Sequence, residues 1–497
     1  MLETLFLSAA LTLGQVPPPP PPIPSGGNSY SGQVPPPPPP VPHGDLLDSD
    51  ETPEPLGNAI LQVSADQPAP QGEAPKPEEI AAPLLPPPAA PAAAAAAAAP
   101  TAAAPPRWFL MKALQGTYPG AILDSERTQI LGWVQGSYTA SSVGDLNFPE
   151  SQNFRANQFM MNQAWFRLAR SVVTTGTEEP TFGFESDWYV GTDYRYTLSR
   201  GVFNHQLVDN NGSPNLYGVD PIQFFGEAYF PTVGRGLDLK VGRFYAPWGV
   251  ESIEAPSTPF LSHSYTFSLA PPFTLTGILS TLTVTPEWTV QAGLVAGEDV
   301  ILFNTADTPT FVGTVQWTQP EGGRNVVKFA TVLNNADFFA GAAFQNYDIF
   351  DVVWTHIFNE VLVYNMEAIY GFEDHIVDVG PPAIDPNLPS GRGNWEGLAQ
   401  YLAYTMSARL VAQVRFELFN DPQGVRTSGF TIAGSPAGFG DTKGLYEALT
   451  LGLVFMPRTN KSIILRPEIR WDHNDESAAF QGHHNLFTAA TDLIVRW

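Results

Sequence analysis

From about residue 107 to the C-terminus, apolar and polar residues alternate in segments of about ten, the weak signature of membrane-crossing strands. In KSIILRPEIRW, Ile463, Leu465, Pro467, Ile469 and Trp471 fall on one face, while Ile464, Arg466, Glu468, Arg470 and then Asp472 fall on the other. A period of two sends successive side chains to opposite sides of a sheet. SARLVAQVRFELF repeats the pattern, with Leu410, Ala412, Val414, Phe416 and Leu418 set against Arg409, Gln413, Arg415 and Glu417. In EVLVYNMEAIY, Leu362, Tyr364, Met366, Ala368 and Tyr370 share a face that Asn365 and Glu367 avoid. The pattern predicts sixteen strands, near 129–140, 161–172, 181–191, 223–231, 236–245, 273–284, 286–296, 310–319, 324–335, 346–358, 360–373, 394–404, 407–419, 444–456, 461–473 and 485–497.

Alternation alone also fits a soluble antiparallel sheet. The connections discriminate. Those after even-numbered strands are short: TTGTEEP, TVGRG, TP, PEGG, a turn near Asn359, TM and PRTN. Those after odd-numbered strands are mostly long, including 192–222, 246–272, 374–393 and 420–443. Short turns at one end and long loops at the other predict an all-β fold, a transmembrane antiparallel barrel spanning 107–497 with both ends on the periplasmic side. The closing TDLIVRW, with Leu493, Val495 and Trp497 alternating against Asp492, Ile494 and Arg496, is then no free edge. In a closed barrel the last strand pairs with the first. Its apolar face meets lipid, and Trp497 joins the interfacial aromatic girdle.

The N-terminal part reads differently. LFLSAALTLG has the length of an export-signal h-region, which predicts a signal peptide over 1–15, although MLET before it has Glu3 and no Lys or Arg. Residues 16–106 are low-complexity, with VPPPPPPIP, VPPPPPPVP and PAAAAAAAAP. So few large apolar side chains cannot offset the entropy of ordering, which predicts a disordered Pro/Ala-rich linker. Polyproline is extended, so the segment would serve as a spacer, or as a tether to cell wall or periplasmic proteins.

Composition narrows the function. The chain has no cysteine, which excludes disulfides, thiolate metal sites and a cysteine nucleophile. A net charge of −25 argues against a nucleic-acid partner. No GxSxG elbow occurs. His483 and His484 sit in a predicted loop, and the glycines of GRGLDLKVG precede a strand rather than a helix. Nothing here calls for a cofactor or an enzyme. Sixteen to eighteen strands leave an aqueous channel, so passive diffusion of small hydrophilic solutes or ions through the outer membrane is the expected function.

The third outer loop, 246–272, carries Glu251, Glu254, His263 and Tyr265. It forms either a lid exposed to the outside or a constriction folded into the lumen. In the second case Glu251 and Glu254 would face Arg243, Arg415, Arg466 or Arg470 across the pore, and such charges select ions. Alternatively, Arg466, Glu468 and Arg470 form a wall ladder that only stiffens the barrel. Of the chain's 49 acidic and 24 basic residues, ten and one lie in 1–106, which leaves the barrel region at −16. Asp374, Asp378, Asp472, Asp475 and Glu476 would form an acidic outer vestibule that favours cations.

KVGRFYAPWGVESIEAP, SHSYTFSLAPPFTLTG and LTLGLVFMPRTNKSIILRPEIRWDH resemble the OmpL-like, type-2 β-barrel porins, over roughly residues 125 to 497. The resemblance implies a porin in the bacterial outer membrane and brings no catalytic residues. The chain end resembles the C-terminal signal of outer-membrane proteins, with Trp497 where phenylalanine is usual, and this implies recognition of Leu493, Val495 and Trp497 by the barrel-assembly machinery. A homo-trimer is a further expectation. A structural anchor, with the barrel as rivet and the proline-rich segment as tether, is the alternative.

Overall fold

A computed structural model describes residues 107–198, 202–207, 215–301, 309–320, 323–337, 345–376, 391–427, 442–458, 461–476 and 479–497. The expected signal peptide and linker, and Asp378, lie outside the described residues. Two short helices, α1 (Phe109–Leu114) and α2 (Tyr118–Ser125), precede the first strand. Sixteen strands follow: β1 (Thr128–Ser141), β2 (Phe159–Arg170), β3 (Thr181–Gly191), β4 (Gly218–Phe230), β5 (Leu237–Tyr245), β6 (Thr274–Thr283), β7 (Trp288–Glu298) and β8 (Thr310–Thr318). The second half comprises β9 (Asn325–Asp337), β10 (Gln345–Ile357), β11 (Leu362–Ile376), β12 (Gly391–Ser407), β13 (Leu410–Asp421), β14 (Gly444–Phe455), β15 (Ile463–Asn474) and β16 (Asn485–Arg496). Helices α3 (Tyr194–Thr197) and α4 (Tyr265–Leu269) lie in the loops after β3 and β5.

Each strand pairs antiparallel with its sequence neighbours, and β16 pairs with β1, so the sheet closes into a barrel. The sixteen predicted strands are all present. The largest boundary difference is at β4, which begins at Gly218 rather than 223, whereas β12 is three residues longer at each end, from Gly391 to Ser407. On β4, Gly218, Val219 and Asp220 pair with β3, but Asp220, Pro221, Ile222 and Gln223 are buried in succession, so this stretch has no alternation that a sequence could show.

The period-two pattern sorts the wall as expected. On β15, Leu465 and Ile469 are 37% and 57% exposed on the outside, whereas Arg466, Glu468, Arg470 and Asp472 are buried inside. On β16, Leu493 and Val495 are exposed beside the buried Asp492 and Ile494. The charged inner face and apolar outer face are the inverse of a soluble fold.

Closure depends on a close approach at the seam. Gly132 and Trp497 exchange backbone hydrogen bonds of 3.2 and 2.9 Å, which continues the β1–β16 ladder to the last residue. The Trp497 indole lies over Gly132, where a Cβ would stand 2.4 Å from the ring and 2.0 Å from the Trp165 carbonyl oxygen. Phe166 flanks the indole at 6.2 Å. Only glycine leaves this space. Replacing Gly132 with leucine is therefore expected to abolish the heat-resistant folded species. Comparing the mobility of unheated and boiled samples in denaturing gels checks this, and a normal folded band would refute it.

Candidate pore constriction

The loop after β5, residues 246–273, does not stand out from the barrel. It is almost wholly buried and threads the lumen. Its sequence shows why it is ordered. The amide of Gly249, at φ +78°, donates to Asp351 Oδ2 of β10 (3.2 Å), and that of Val250 to Glu367 Oε2 of β11 (2.8 Å). Ser264 caps α4 by accepting from the Phe267 amide at 3.0 Å, and Pro271 and Pro272 follow the helix. Phe260, Leu261, Tyr265, Phe267 and Leu269 are buried. Each such burial contributes about 1.5–3 kcal/mol, against about 1–2 kcal/mol of backbone entropy per ordered residue.

Charges on the far wall hold the loop. Arg415 of β13 donates to Glu251 Oε1 (3.0 Å), the Ser262 carbonyl (2.7 Å) and Ser262 Oγ (3.0 Å). Glu417 accepts from the Tyr265 amide at 2.7 Å. On β15, Arg466 donates to the carbonyls of Ala255 (2.9 Å) and Thr258 (2.6 Å), and Glu468 accepts from the amides of Leu261 (2.8 Å) and Ser262 (3.0 Å). Arg470 donates to the His263 carbonyl at 2.9 Å, and the Tyr265 hydroxyl donates to Asp472 at 2.8 Å. Tyr401 of β12 donates to Glu251 at 2.9 Å. On the opposite wall, Gln163 of β2 donates to the Ile253 carbonyl (2.7 Å) and accepts from the Ala255 amide (3.2 Å). It also anchors Trp133, whose indole stacks on Trp165 at 4.6 Å, and Trp165 stacks on Tyr189 at 4.9 Å.

Of the two forms open to this loop, the structure takes the lumenal one. Glu251, Arg415, Arg466, Glu468 and Arg470 converge on it. Two expectations change. Arg243 is not among these residues. It lies near the outer end of β5, buried against Asp220 (2.9 Å), Thr274 Oγ1 (3.0 Å) and the Thr197 and Pro221 carbonyls. Asp220 supplies its countercharge there, so the loop glutamates are not needed. The charges also do not face each other across open water. Arg466 pairs with Asp492, and Arg470 with Asp472 and Glu417. Glu468 accepts loop amides rather than an arginine, so β15 is a clamp on the loop more than a ladder within the wall. Asp472, placed by sequence in the vestibule, is buried inside the barrel.

Glu254 finds a partner the sequence reading missed. It bonds to Arg167 of β2, which also meets Asp187 and, at 3.3 Å, Glu185 of β3. Lys240 of β5 lies 3.5 Å from Glu227 of β4, and the buried Asp238 is on the same inner face of β5. Unlike the sealed clamp, this cluster meets water: the side chains of Arg167, Glu185, Glu254 and Lys240 are 16%, 23%, 16% and 26% exposed. Inward alternation on β2 and β3 marks these residues as lumenal, but which loop residue reaches them depends on the fold of the loop.

The residues of 127–497 match the family described as "Putative beta-barrel porin-2, OmpL-like". The chain belongs to this family. Its place is the bacterial outer membrane, so the end with the short turns is periplasmic and the Arg167 cluster lies on the periplasmic half of β2 and β3. Among solved structures, the barrel is similar to the anion-selective porin from Comamonas acidovorans, at 10% identity and a TM-score of 0.49, covering 74% of this chain and 99% of that one. It is also similar to the outer membrane channel DcaP of Acinetobacter baumannii, at 10% identity and 0.47, covering 74% and 96%. A third is Salmonella typhi OmpF in complex with daunomycin, at 11% and 0.46, covering 74% and 97%. No curated protein matches. The family match carries the assignment; likenesses this distant carry no functional argument.

The loop of this porin has a defined acid limit. Burial pushes the Glu251 carboxyl up, but Arg415, then His263 with Nδ1 at 2.6 Å, and Tyr401 together hold it at about 2. A depressed carboxyl stabilises the fold fully above its ordinary value of 4.5 and loses that contribution as pH falls through about 2. Single-channel current is therefore expected to stay steady down to the ordinary glutamate range and to become noisy below it. Glu251→Gln, which removes one of the two carboxylates paired with the buried Arg415 guanidinium and leaves Glu417 at 2.7 Å, should show that noise already at neutral pH. Identical traces for variant and wild type would overturn this role.

Proposed function

We propose that this porin passes small hydrophilic solutes and ions by passive diffusion, that the lumenal loop is its constriction, and that it mildly prefers cations. The observation that carries the reading is the loop's arrangement. It is bound to both walls, and water reaches the charged face of β2–β5 beneath it. There Glu185, Asp187, Glu227, Asp238 and Glu254 outnumber Arg167 and Lys240. Among the described residues, buried carboxylates outnumber buried Lys and Arg side chains sixteen to six. The barrel region's charge of −16 adds an outer field that salt screens beyond about 10 Å at 0.1 M. The clamp glutamate Glu251 would govern pore shape, whereas Glu254 and Glu185 would meet permeating charge.

Purified full-length protein in a planar bilayer should give stepwise conductance. Reversal potentials across a salt gradient should show cation preference at low salt that fades at high salt and weakens in Glu185→Gln with Glu254→Gln. Anion preference in the wild type would sink the selectivity, and absence of any conductance would sink the channel and favour the structural anchor.

The terminal pattern Leu493, Val495 and Trp497 supports a further part of the reading, recognition by the barrel-assembly machinery. A lipid-facing charge near the interface costs directly only about 0–1 kcal/mol. Trp497→Asp is nevertheless expected to lower outer-membrane yield strongly while export continues, and Trp497→Phe to restore it. Normal surface yield of Trp497→Asp would count against the signal.

A further inference from the structure

We propose that the helical hairpin α1–α2 lies in the headgroup layer of the periplasmic leaflet, with phospholipid as its partner. One side of the hairpin is fixed to the seam of the barrel. The Met111 side chain is buried, and its Sδ accepts the Ile130 amide of β1 at 3.4 Å. The Arg496 guanidinium sits 3.9 Å over the Trp108 ring. Arg107 pairs with Asp124 at 2.6 Å, and Arg170 of β2 lies 3.4 Å from Glu126 just past α2. The Met111 and Trp108 contacts use up the inner side, while the Asp124 and Glu126 carboxylates, 47% and 60% exposed, stay open at its edge.

The other side is unusually apolar for a short polar-solvent connector. Phe109 is 72% exposed, Tyr118 81% and Ile122 46%. Helices this short are marginal alone in water, so an apolar side left to water would work against them. The hairpin instead continues an interface already present. Ile130, which it caps, shares the outer face of β1 with Gly132 and the exposed Val134. The Trp497 indole covers Gly132, and the exposed Phe166 stands beside it. The lipid belt thus runs down to the point where Met111 attaches, at the membrane–water boundary where aromatic rings concentrate. The exposed Lys112 adds a cation suited to lipid phosphate.

The cysteine-free chain makes the test direct. Full-length Tyr118→Cys and, separately, Phe109→Cys are labelled with an environment-sensitive fluorophore. Each is reconstituted in phosphatidylethanolamine–phosphatidylglycerol vesicles carrying headgroup nitroxides. Leu493→Cys on the lipid face and Glu179→Cys in the exposed β2–β3 turn serve as references, and each variant is first checked for the heat-resistant folded form. The hairpin probes should lose fluorescence to the headgroup nitroxide and resist aqueous iodide. Quenching by iodide alone, as expected at Glu179, would overturn the proposal. Protection from both quenchers would overturn it too, because protein rather than lipid would then cover the hairpin. Conductance is not used, so failure here leaves the channel reading untouched.

Discussion

A sixteen-stranded ring encloses more space than its wall side chains can fill, and the inside of this barrel follows from that constraint. The backbone of the wall is satisfied by closure, but the inward carboxylates and guanidiniums are not. A loop brought through the lumen answers both needs. Its peptide groups pair with Arg415, Glu417, Arg466, Glu468 and Arg470, and its aromatic side chains take up volume. Breaking such a buried pair is costly because the remaining charge is stranded. The loop and its wall therefore hold each other in one arrangement.

The clamp divides the lumen into unequal sides. From β10 to β15 the charges are spent on peptide groups and on one another. Toward the short-turn ends of β2 to β5 several stay partly wet, where Arg167 is shared among Asp187, Glu185 and Glu254. Charges that keep some water can respond to a passing ion, whereas those that have lost it mainly fix structure. Two glutamates only three positions apart on one loop, Glu251 and Glu254, fall on opposite sides of that division.

Much of the barrel was legible in the chain because lipid outside and charge inside impose a strict period of two. Strand number, pairing order and the inward set on β13 and β15 followed from it. The loop's destination was only half legible. Phe260, Leu261, Tyr265, Phe267 and Leu269 are too apolar for an exposed lid, and that signal was available. Its partners were not. Whether Glu251 meets Arg415 or Arg243 depends on stagger around the ring and on the path of the loop, which no local pattern encodes. Arg167 and Glu185 could be assigned to the lumen but not to Glu254, for the same reason.

The seam has a kinetic consequence. Neighbouring strands elsewhere in the ring are joined by turns or loops, but β1 must pair with β16 across the whole length of the barrel sequence, as Trp133 does with Arg496. Until then its edge amides and the space over Gly132 stand open, and contacts this distant in sequence form slowly. A nascent chain with an unpaired first strand is at risk of pairing with another copy of itself. The docking of Trp497 on Gly132 thus belongs to the event that ends that vulnerable interval.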